Sequence, residues 1–147
     1  MLNSYKELVE YFEAMPSTVV ALRGATVGDD EEIESLQNTR AAYPHLWVET
    51  PDIDFTGTDD NPASRFNFNV AVIAADPQRT NRSANDLLST LHGILAQVWA
   101  RVLADSDNDY FDLVLQDGKS DPIRKWSGDN VFGWRMTISL EIPRCEC

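Results

Sequence analysis

The stretch Gly133-Trp134-Arg135-Met136-Thr137-Ile138-Ser139-Leu140-Glu141-Ile142-Pro143 limits the fold more than any other part of the chain. Trp134, Met136, Ile138, Leu140 and Ile142 alternate with Arg135, Thr137, Ser139 and Glu141. A period of two puts one set on each face of a strand, so the segment predicts a strand buried on one side and wet on the other. Pro143 ends it, because proline has no amide for the ladder. Such a strand needs neighbours to pair with and a layer to cover its apolar face.

Residues 65–75 supply a second strand. Phe66, Phe68, Val70 and Val72 form its buried row, Asn67 and Asn69 face outward, and Asp76-Pro77 closes it. The covering layer is predicted at residues 82–104. There Leu87, Leu91, Ile94, Leu95, Val98 and Val102 form one helical stripe, widened by Leu88 and Trp99. At about 1.5 Å per residue this helix runs roughly 35 Å. Thr80, Asn81 and Ser83 are its candidate N-caps, and Asp105 to Asp109 end it as a polar turn.

Residues 2–14 predict a shorter amphipathic helix carrying Leu2, Tyr5, Leu8, Val9 and Phe12 on one face. Ser4 and Glu7 have capping-box spacing, and Pro16 closes the segment. Short strands are read at residues 18–25, 43–51, 111–116 and 121–126. Pro44 and Pro51 place the 43–51 strand at a sheet edge or mark its ends. Residues 28–34 either begin a short helix reaching Arg40, capped by Asp29 or Asp30, or form a loop. Residues 52–64, rich in Asp, Gly, Thr, Asn and Pro, read as a long surface loop. The whole is one α+β domain over residues 1–147: a mostly antiparallel sheet, with one long helix and a short N-terminal helix packed on one face.

Charge narrows the function classes. The 147 residues carry a net charge of −12, which disfavours direct high-affinity binding of DNA or RNA. Residues 1–64 hold three basic and thirteen acidic side chains, whereas residues 65–147 hold nine and eleven. The acid therefore gathers in one half, either as a solvated face or as a surface that repels polyanions. No run of about eighteen apolar residues predicts a membrane span, and residues 1–7 do not have the pattern of a signal peptide. A cytoplasmic origin is the default expectation.

Catalytic and metal chemistry find little to work with. Asp105, Asp107 and Asp109 imitate the start of an EF-hand loop, but its sixth and twelfth positions are Tyr110 and Gln116, where glycine and glutamate are needed. His92 sits in the apolar helix and reads as a packed residue, and His45 between two prolines reads as structural. Cys145 and Cys147 are one residue apart, a poor spacing for a mutual disulfide, and read as a reduced tail. Gly128 to Gly133 lacks the strand-loop-helix setting of a phosphate loop. The residues predict no enzyme, cofactor or metal site. Trp47, Trp126 and Trp134 lie at or beside strands; most are expected in the core, with one or two at an oligomer interface.

Several segments together resemble the tail terminator (tail completion, neck) proteins of tailed phages and prophages, especially those of Bacteroides-like hosts. They are Leu2-Asn3-Ser4-Tyr5-Lys6-Glu7-Leu8, Tyr43-Pro44-His45-Leu46-Trp47-Val48-Glu49-Thr50-Pro51, Asp121-Pro122-Ile123-Arg124-Lys125-Trp126-Ser127-Gly128-Asp129-Asn130 and the Gly133-Trp134 strand. What is shared is mainly the layout of helix, strands, long helix and closing strands. The resemblance implies a non-enzymatic virion subunit that forms a ring, usually a hexamer, capping the tail tube and joining it to the head. Its implied partners are further copies of itself, the tail tube protein and neck or connector proteins. DNA passes through without specific binding, and no membrane is involved. A negative lumen suits that passage, so Asp29, Asp30, Glu31 and Glu32, along with residues 52–60, are candidates for a lumen or docking face. Trp47, Arg124, Lys125 and Trp126 are candidate interface residues. The alternative is a tail-assembly or adaptor module that binds its partners as a monomer or dimer.

Overall fold

The structure, a computed structural model, describes residues 1–28, 43–75, 80–114, 118–126 and 131–143, with backbone alone for 124–126. The two strongly alternating segments form its centre. Strand β4 (Pro62–Ala75) and strand β7 (Val131–Pro143) run antiparallel along their whole length, from Ala63 opposite Pro143 to Ala75 opposite Val131. Phe66, Phe68, Val70 and Val72 stand opposite Leu140, Ile138, Met136 and Trp134, so the apolar rows of both strands share one face.

The other strands attach to the two outer edges of this pair. On the β4 side, β2 (His45–Val48) pairs with Val70 to Ile73, and β3 (Asp52–Gly57) pairs with Pro62 to Asn67, both antiparallel. β1 (Gly24–Val27) lies parallel to β2. On the β7 side, β5 (Asp112–Leu113) pairs at Leu140 and Glu141, and β6 (Ser120–Trp126) pairs with Val131 to Met136 around a bulge. Pro122 sits in β6, an outer strand, where its missing amide costs least. The described residues thus form one seven-stranded, mostly antiparallel sheet.

Two helices cover one face of this sheet. Helix α1 (Tyr5–Glu13) begins at Ser4, whose hydroxyl accepts from the Glu7 amide, as the spacing predicts. The Glu7 carboxylate accepts from the amide of Asn3, one residue before the expected one. Leu8 and Phe12 enter the core, and Phe12 meets Phe68 edge to face at 5.4 Å. Helix α2 (Asn81–Asp107) is capped by Thr80 in a reciprocal arrangement with Ser83. Its stripe of Leu88, Leu91, Ile94, Leu95, Val98 and Val102 is buried, while Leu87 and Trp99 are half-buried. The sheet with both helices on one face is the α+β arrangement the alternation predicts.

Several segments depart from expectation. Residues 18–25 form a strand only from Gly24. The amide of Val19 bonds to the carbonyl of Met15 and that of Leu22 to Val19, so turns satisfy this backbone despite its β-branched composition. Val19 and Leu22 plug the core. Residues 52–64 form a β-hairpin, not a loop. Pairing with β4 overrides the weak strand propensity of Asp, Gly and Asn. Thr58 and Asn61 exchange backbone hydrogen bonds across the turn. Gly57 enters that turn at φ 85°, where a Cβ would lie 2.2 Å from the Asn61 carbonyl oxygen. The 111–116 strand is paired only at Asp112 and Leu113, with the Val114 amide extending the ladder to Ser139; residues 115–117 lie outside the described residues. The helix-or-loop alternative at residues 28–34 falls almost wholly outside them too, as do Cys145 and Cys147.

By length and composition alone α2 is long and apolar enough to cross a membrane. Its apolar stripe packs on the sheet. That burial generates a prediction. Leu91 is fully buried between α2 and the sheet. Leu91→Ala should therefore lower the unfolding free energy by about 2–5 kcal/mol. Denaturant titration checks it; an unchanged midpoint would mean the helix does not pack on the sheet.

Candidate functional site

The second face of the sheet changes character along its length. At one end Trp47, Ala71, Ile73 and Val131 form a separate buried cluster with Tyr43 and Ile123 against it. At the other end it is polar. Asn67 donates to Asp54 and accepts from Ser139, and Asn69 donates to Glu49 and accepts from Thr137. Beside these rows Arg65 donates to Glu141 through Nε at 3.1 Å and Nη2 at 2.8 Å. This ion pair is partly exposed, so it contributes no more than about 1 kcal/mol. The rows tie three columns of strands into one plate.

Trp47, a candidate interface residue, belongs to the buried end. It is 5% exposed, and its indole donates to the Gly28 carbonyl oxygen at 2.9 Å. It therefore has almost no surface to offer another subunit. The unbroken apolar run Val70-Ala71-Val72-Ile73-Ala74-Ala75 carried the signal, since a strand buried on both faces does not alternate. Arg124, Lys125 and Trp126 lie in β6, at an outer position of the sheet. Asp29, Asp30, Glu31 and Glu32 are outside the described residues.

One of the two histidines departs from its expected environment. His45 is buried, with Nε2 2.9 Å from the Thr26 hydroxyl, and reads as structural as expected. His92 is exposed on α2, where its ring meets Trp134 edge to face at 5.5 Å, so it is not the packed residue its helix implied. The Trp134 indole donates to the Leu88 carbonyl oxygen at 2.7 Å and fastens β7 to α2.

Asp105 also overturns its reading as part of a solvated turn. The helix continues to Asp107, and the Asp105 side chain is 4% exposed. It accepts from the Tyr11 hydroxyl at 2.6 Å and from Arg101 Nε at 3.0 Å. These bonds compensate the buried carboxylate and join α1 to the end of α2. They also commit the first aspartate of the EF-hand-like run to the fold. Burial raises the Tyr11 phenol far above its ordinary value, and the Asp105 carboxylate pushes it the same way.

Two features mark the ends of the sheet's width. On the β4 side, β3 and its turn carry Asp52, Asp54, Asp59 and Asp60 with no basic residue. Phe55 is 75% exposed there and Ile53 46%. On the β7 side, a cleft of about 140 Å³ opens between α2 and β6, lined by His92, Leu95, Ala96, Trp99, Gly118, Ser120 and Met136. In sequence, Lys119, Arg124 and Lys125 accompany it together with Asp117, Asp121 and Asp129. A larger cleft of about 340 Å³ lies where Met1, Asn61, Phe111 and Pro143 meet Asp109, Asp112 and Glu141. Among the described residues, no group of three His, Cys, Asp or Glu side chains is placed to hold a metal ion. No protein-family model matches the chain, and no curated protein matches it either.

The Tyr11–Asp105 contact generates a prediction. A phenol that stays neutral in the fold but ionises near pH 10 when unfolded stabilises the fold fully below that pH. The contribution is lost as pH rises above it. Tyr11→Phe should lower stability at neutral pH by about 1–3 kcal/mol, because it removes a hydrogen bond to a buried charge. The loss between pH 10 and 11.5 should also be shallower than in the parent, apart from groups common to both (~1 pH unit suffices to read a slope). Thermal melts across that range check both, and parallel pH slopes would contradict the assignment.

Proposed function

We propose that this chain is a structural subunit of a phage virion, forming a ring that caps the tail tube and joins it to the neck. The observation that carries the reading is the β3–β4 hairpin, which presents Phe55 and Ile53 to solvent beside four aspartates. Exposed aromatic and branched side chains on an outer strand suit contact with another protein, and strand edges are ready docking templates. The α+β layout agrees with what the resemblance to tail terminators implies. In this reading the subunit has no enzymatic activity and needs no cofactor. Its partners are its own copies, most simply six, together with the tail tube protein and neck or connector proteins. It assembles in the host cytoplasm and resides in the virion, and DNA passes through the ring without specific contact.

Native mass spectrometry of the purified chain, alone and with tail tube protein, tests this. A hexamer is expected. A strict monomer at high concentration under both conditions would remove the ring, and a stable dimer would favour the adaptor reading. A second prediction concerns the four adjacent carboxylates. Reversal of Asp29, Asp30, Glu31 and Glu32 to lysine should leave ring assembly intact and reduce infectivity if they face the lumen. If they face an adjacent ring, docking should weaken instead, as it should with added salt over a Debye length of about 8–10 Å. Normal docking and normal infectivity would reduce the cluster to a solubility role.

A further inference from the structure

We draw no further inference here: the strongest candidate, the cleft between α2 and β6 walled by Leu95, Ala96, Trp99 and Met136, carries none because nothing in the structure shows what covers it.

Discussion

The antiparallel contact between β4 and β7 is the constraint on which the remaining structure depends. It joins two chain segments some seventy residues apart and aligns their inward rows side by side, Phe66 with Leu140 and Val70 with Met136. Every other described strand attaches, directly or through β2, to one of these two. Close approach is built into the pair at Gly133, where a Cβ would lie 2.2 Å from the Val72 carbonyl oxygen. The helices depend on the same surface. α1 and α2 share one core with the row it presents, and no other described element offers either helix so broad an apolar surface.

The polar interactions have a subordinate but specific role. Tyr11, Asp105 and Arg101 link the short helix to the far end of the long one, 94 residues apart for Tyr11 and Asp105. A buried carboxylate with two donors adds little net stability, but losing either donor leaves a charge without full compensation. The asparagine rows on the opposite face hold neighbouring strands in register by side chains as well as backbone. Both networks tie neighbouring elements together by side chains as well as by backbone.

The two outer ends of the sheet differ in shape. An acidic hairpin bearing Phe55 lies at one end, and a cleft between α2 and β6 at the other. Trp47 is enclosed by the fold and lies at neither end.

Much of the frame was legible in the chain alone. Alternation from Trp134 to Ile142 and from Phe66 to Val72, the stripe from Leu91 to Val102 and the caps at Ser4 and Thr80 are local patterns. Their spacing alone identifies the element and its inward side. The candidate site was legible only as composition: acid in one half, scattered tryptophans, and basic residues near Lys125. The hairpin at residues 52–64 was hidden because Asp, Gly and Asn read as loop until β4 supplies the partner strand. The burial of Asp105 was equally out of reach, since Tyr11 lies 94 residues from it in sequence. Periodicity reports which way a side chain points along its own element. What lies opposite it depends on contacts between distant residues that exist only once the chain has closed.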